Sequence, residues 1–207
     1  MNKKINFFSG ITLLIIALTL TSCDFKNEEV TPDVILTEQE SQGLVYIREE
    51  EKLAHDVYVY LFNLYDNQVF NNISSSEQRH MDMILSLLVK YNIEDPVLLG
   101  EGEFANVELQ QLYNDLIAQG SNSEVDALLV GATIEDLDIR DIETYKTSLS
   151  TPDIIQTYDK LLCGSRNHMR AFTTQLATFG VTYEPQYITQ EVLDAIISSD
   201  NEKCGQI

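Results

Sequence analysis

Glu77 and His80 stand three residues apart in a segment with helical periodicity, so a carboxylate and an imidazole lie one turn apart on one face. That face is otherwise apolar, formed by Phe70, Ile73, Ile84, Leu87, Leu88 and Tyr91. Gln78, Arg79, Asp82, Ser86 and Lys90 fall on the flanks and the opposite side. Two donors of this kind on a buried stripe can hold a metal ion.

The same placement finds three more interrupted stripes. Glu51 lies among Leu44, Ile47, Tyr58, Phe62 and Tyr65. Glu135 and Asp138 lie among Leu128, Gly131, Ile142, Tyr145 and Leu149, and His168 lies among Ile154, Leu161, Phe172 and Phe179. A buried carboxylate costs several kcal/mol unless it is neutralised, paired or coordinated. Lys52, Arg79, Lys90, Arg140 and Arg166 map to flanks or outer faces. Lys146 is about 16 Å along its helix from Glu135 at 1.5 Å per residue, and Arg48, one turn before Glu51, could neutralise one acid but not several. Metal ions are the economical counter-charge, and carboxylates with one imidazole per ion suit iron or manganese. Glu50 is the alternative to Glu51. Glu49, Asp56 and His55 read as solvated. Tyr58, Tyr91 and Tyr145 read as core, with a hydrogen-bonding role beside the metal as the other reading, and Asn167 and Arg166 could orient His168.

Helix signals supply the elements that must position these groups. Thr37 to Glu40 forms a capping box opening a helix to about Tyr65, and a second helix spans roughly Ile73–Tyr91. Ser74 to Glu77 also reads as a capping box, in which Glu77 would serve its own helix end. A shorter helix follows Asn106 and ends near Gly120. Ser123 opens a helix to about Leu149, Thr151 with Pro152 opens one ending at Gly180, and Thr189 caps a short last helix. No strand alternation interrupts them, so the fold class is all-α. The expected architecture is an antiparallel four-helix bundle with extra short helices over residues 37–200, followed by a tail at 201–207.

The net charge of −20 excludes a general affinity for nucleic acid, which needs a basic face. Residues 1–22 have the three parts of a secretory signal, and Leu20-Thr21-Ser22-Cys23 resembles the bacterial lipobox. That resemblance implies cleavage before Cys23, acylation of its thiol and new amine, a polar tether over 23–36, and a lipid-anchored place in a bacterial cell envelope with the membrane as partner. Cys163 and Cys204 could pair, and sequence alone leaves this open.

Four segments taken together carry a further resemblance: Arg48 to Tyr58, Ser76 to Met81, Gly131 to Ile139 and Gly164 to Phe172. They look like the signature segments of a ferritin-like family catalogued as domain of unknown function 2202, over about residues 40–200. Glu51 with Ala54 and Tyr58 is more distantly similar to the first-helix pattern of rubrerythrins. Glu77-x-x-His80 matches the Glu-x-x-His element of di-iron bundles. The resemblance implies a carboxylate-bridged di-iron centre with Glu51, Glu77, His80, Glu135 and His168 on ligand positions. A second complete Glu-x-x-His would need a glutamate where Ser165 stands, so Asp138 is the candidate to supply the missing carboxylate; otherwise water fills it or one ion is held. The sequence carries no rubredoxin-like CxxC pair, so peroxide reduction of the rubrerythrin kind would require an external donor. The function expected is Fe(II) oxidation or O₂ or peroxide reduction. The alternative is a non-catalytic binding lipoprotein with a structural metal or none. A homodimer is compatible with either.

Overall fold

A computed structural model of the chain describes residues 34–206. The signal segment, Cys23 and most of the tether lie outside the described residues. What is described is all-helical. α1 spans Glu38–Tyr65, α2 Gln68–Lys90, α3 Val107–Gly120, α4 Glu124–Lys146, α5 Pro152–Thr178 and α6 Gln190–Ile197, with a 3₁₀ turn at Cys204–Gln206. No strand occurs among the described residues.

Local chemistry explains most boundaries. Thr37 accepts from the Glu40 amide while the Glu40 carboxylate accepts from the Thr37 amide, the reciprocal capping box expected. α1 ends at Asp66 in the left-handed region, φ 53°, and Asn67 caps α2 at once by accepting from Val69. Because α2 starts at Gln68 rather than Ile73, Ser74 and Ser75 sit inside it and donate to the Asn71 carbonyl. The expected Ser74–Glu77 capping box is therefore absent, which leaves Glu77 free for the core. Asn106, Ser123 and Thr189 cap α3, α4 and α6 as their sequences indicate. Thr151 makes no side-chain cap; its amide donates instead to Glu40 Oε1 at 2.9 Å, tying the start of α5 to the start of α1. α4 stops at Lys146, short of Leu149, and α5 stops at Thr178 before Gly180 at φ 72°.

The four long helices close a ring: α1 packs on α2 and α4, and α5 packs on α4 and α2. The two-residue link between α1 and α2 reverses the chain. Leu44, Ile47, Tyr58, Phe70, Ile84, Leu88, Leu128, Ile142, Leu161 and Phe172 are fully buried between them. Tyr58, Phe70 and Phe172 meet with centroids 5.3–6.3 Å apart, the spacing of tilted aromatic pairs. Gly131 makes this contact possible, because a Cβ there would stand 2.4 Å from the Phe172 ring. α3 packs on α1 and α4, and α6 on α5.

Candidate metal centre

Each long helix contributes to one buried cluster. Glu51 comes from α1, Glu77 and His80 from α2, Glu135 from α4 and His168 from α5, and none is more than 8% exposed. Glu51, Glu77 and His80 bring donor atoms within 4.8 Å of one another, and so do Glu77, Glu135 and His168. Glu77 belongs to both groups. Its Oε2 lies 2.8 Å from His80 Nδ1 and its Oε1 2.8 Å from His168 Nδ1. Glu51 Oε2 is 3.1 Å from His80 Nδ1, and Glu135 Oε2 is 3.3 Å from His168 Nδ1. The imidazoles stack with centroids 5.6 Å apart.

Close as they are, these groups satisfy one another only in part, through the hydrogen bond between His80 Nδ1 and Glu51 Oε2. His168 Nδ1, Glu77 Oε1 and Glu51 Oε1 are buried without a hydrogen-bond partner, although the first two are 2.8 Å apart. Orphaned buried polar atoms are costly and uncommon. Together with the two groups of donor atoms within 4.8 Å of one another, these orphaned atoms make a donor set that could hold metal.

No lysine or arginine among the described residues pairs with these acids. Arg48 forks onto Asp95 at 3.1 and 2.9 Å, and Lys146 pairs with Asp159 at 2.7 Å. Lys52 is held by Asp56 and the Gly100 carbonyl. Electrostatics follow from that. Burial, with Asp138 nearby, raises the Glu51 carboxyl well above its ordinary range. Glu135 is raised by burial, as is Asp138, to which Glu135 adds. Burial opposes charging of Glu77 and of the imidazoles, yet their mutual attraction wins. Glu77 is lowered by His168 and His80, while His80 and His168 are raised by the surrounding carboxylates.

Neighbours orient the cluster. Tyr58 donates to Glu135 Oε1 at 2.5 Å, which leaves Oε2 to face His168. Gly164 provides space for His80, since a Cβ there would stand 2.5 Å from its Cε1 and Nε2. Asp138 stays outside both groups, its Oδ2 taken by Ser165 and its Oδ1 without a partner. Glu50 is 2% exposed, also outside both groups, with neither oxygen partnered. Arg166 and Asn167 do not reach His168; they bind Glu202 and the tail. Glu49 and Asp56, expected in solvent, are 3% and 5% exposed. Glu49 accepts from Ala105 and Asn106, and Asp56 from Lys52 and Gly102. The loop before α3 supplies the backbone donors Gly102, Ala105 and Asn106, and α1's periodicity carries no signal of it. His55 stays partly exposed beside Asp56.

Fold and site together define an all-helical protein with a buried carboxylate–histidine cluster built from four helices. The chain belongs to the family described as an uncharacterized protein domain, DUF2202, which matches residues 40–200. It is 50% identical over 173 residues to the uncharacterized protein MJ0754 of Methanocaldococcus jannaschii, a match covering 83% of this chain and 94% of the relative. It is likewise similar to the crystal structure of the hypothetical protein MJ0754 from Methanococcus jannaschii. That match has TM-score 0.81 and 50% identity, covering 83% of this chain and 98% of the solved one. The expected lipid-anchored place in a bacterial envelope is corrected by this relationship. The placement rested on a bacterial processing signal, whereas this relative, at 50% identity, is archaeal. Among the described residues, no helix is long and apolar enough to cross a membrane.

Proposed function

We propose that the chain is a ferritin-like four-helix bundle that binds two metal ions, iron or manganese, through Glu51, Glu77, His80, Glu135 and His168, and that it oxidises Fe(II) or reduces O₂ or peroxide. One observation carries the reading: two three-residue groups, each with one imidazole, share Glu77. One carboxylate oxygen toward each imidazole is the arrangement of a bridging ligand.

Iron bound there would supply one-electron steps and an open coordination position for an oxidant. The chain supplies the rest. Glu77 would serve both positions, Glu51 would complete the one with His80 and Glu135 the one with His168, and Tyr58 holds Glu135 by its Oε1. The aromatic layer of Tyr58, Phe70 and Phe172 keeps bulk water from one side. Asp138 and Ser165, buried together beside the cluster, are placed to hold a proton next to it.

Anaerobic titration of the metal-free chain with Fe(II) is expected to reach two ions per chain, and air should then oxidise them. His80→Ala combined with His168→Ala should reduce binding below one ion. Binding below one ion in the unaltered chain, unaffected by that double substitution, would refute the proposal.

A further inference from the structure

The tail beyond α6 is fastened to one helix, α5, in the stretch that carries His168. Glu202 accepts from Arg166 at 2.7 and 2.5 Å and from Arg170 at 2.9 Å. Asn167 donates to the Glu202 carbonyl at 3.0 Å and accepts from its amide at 2.8 Å. A disulfide then joins Cys163 of α5 to Cys204 of the tail, which sequence alone left open.

This fastened segment borders a cleft of about 530 Å³ in which Glu202, Cys204 and Gly205 face His80, Gly164 and His168. The imidazoles are the part of the cluster that meets the cleft, at 5% and 8% exposure, while Glu51, Glu77 and Glu135 stay at 2%. Gly164, against the His80 ring, is the chain neighbour of Cys163. One cysteine therefore adjoins the floor of the cleft and its partner forms part of the wall.

We propose that the Cys163–Cys204 disulfide clamps the tail as the wall of the access cleft over His80 and His168, and that reduction by a dithiol frees the tail and opens the cleft to small solutes. What the cleft serves rests on the proposed function; the clamp does not. Cys163 is fully buried and Cys204 is partly exposed, so the reductant's thiolate attacks Cys204 Sγ. That S–S bond forms as the Cys163–Cys204 bond breaks, and Cys163 leaves as a thiolate and takes up a proton. The reductant's second thiol then displaces Cys204 as a thiol, and the reductant ends as a disulfide. Two electrons pass to the protein. The remaining ties converge on Glu202, whose side chain is 30% exposed and whose pair with Arg166 opens to solvent while Arg170 is buried. Beyond Glu202, among the described residues, only Asn167 reaches the tail, at Cys204 Sγ, so the disulfide is the main anchor of the residues that follow Glu202.

Deuterium exchange at the imidazole C2–H of each histidine, read by mass spectrometry on the metal-free full chain, tests this. His55, partly exposed on α1, serves as the internal reference. Three samples are compared: the oxidised chain, the chain treated with a phosphine reductant, and the Cys163→Ser/Cys204→Ser variant. Exchange at His80 and His168 should rise at least several-fold in the last two, with backbone exchange over residues 201–205 rising alongside and His55 unchanged. A freed tail with unchanged His80 and His168 would overturn the proposal, as would no change anywhere. An equal rise at His55 would mean general loosening and overturn it too. If Fe(II) fails to bind, the proposed function falls, and C2 exchange still decides the clamp.

Discussion

Asp136 and Glu77 are both carboxylates withdrawn from solvent, at 0% and 2% exposure, yet their surroundings are opposite. Asp136 accepts from Tyr183 Oη at 2.8 Å and from the amides of Gln186, Tyr187 and Ile188 at 2.6, 3.0 and 2.7 Å. Glu40 is similar, accepting from the amides of Thr37, Ser150 and Thr151. Glu77 has no backbone donor, faces two imidazoles and keeps one oxygen unpartnered. Burial of an acid thus does not by itself mark a functional group. Fixed backbone donors make a carboxylate a structural clamp, and imidazoles, which are able to ligate metal themselves, make it a candidate for coordination.

Removing a clamp should cost most. Asp136→Ala strands several buried donors that hold the segment leading to α6, and leaving such donors unsatisfied costs about 1–3 kcal/mol each. A loss of about 3–5 kcal/mol in urea unfolding of the metal-free chain is expected. A loss below about 1 kcal/mol would show that these hydrogen bonds do not set the stability of that segment.

Glu40 comes next, with a pH signature. Burial would raise its carboxyl, but backbone donation from Ser150, Thr37 and Thr151 outweighs this and lowers it from 4.5 to about 2. Because the folded value is depressed, the stabilisation is fully present above about pH 4.5 and is lost as pH falls toward 2. Glu40→Gln should therefore destabilise by about 1–2 kcal/mol at neutral pH, with the gap to the unaltered chain closing in that acid window. A pH-independent gap would place its effect in packing.

On the cluster the sign should change. Glu51 is raised by burial and by Asp138, so ionising it in the metal-free chain costs stability as pH rises above the ordinary glutamate range. Glu51→Gln is expected to be neutral or to stabilise the metal-free chain by up to about 1 kcal/mol, the gain growing toward alkaline pH. The same substitution should lower Fe(II) stoichiometry. Destabilisation comparable to Asp136→Ala would make Glu51 a clamp and erase the distinction.

The cluster was more legible in the sequence than the clamps were. Helical spacing alone put Glu51, Glu77, His80, Glu135 and His168 on inward stripes, because each lies mid-helix where the 3.6-residue period is regular. The clamps depend on chain segments with no period: the loop at Ala105 binds Glu49, and the stretch from Gln186 to Ile188 binds Asp136. Arg48 pairs across the fold with Asp95 for the same reason. The early start of α2 was hidden because Asn67 caps it while Ser74 to Glu77 imitates a later start. Glu50 is the instructive residual: its inward face was visible as a rival to Glu51, but not that neither oxygen would find a partner.

Tyr58 lies between the two regions, a fully buried core ring whose hydroxyl serves the cluster. Its donation to Glu135 Oε1 engages one oxygen and leaves the other facing His168 Nδ1 at 3.3 Å. Phenylalanine keeps the contacts with Phe70 and Phe172, so Tyr58→Phe should cost metal-free stability only about 1 kcal/mol, the low end for a buried acceptor that loses its donor. If the hydroxyl positions a ligand, this small structural change should still weaken Fe(II) binding at the proposed position of Glu135 and His168 several-fold while sparing the proposed one at Glu51 and His80. In a double-mutant cycle, Tyr58→Phe should have no further effect on binding once Glu135→Gln is present. Equal weakening of both sites, or additive losses in the cycle, would make Tyr58 ordinary core and leave Glu135 oriented by its helix alone.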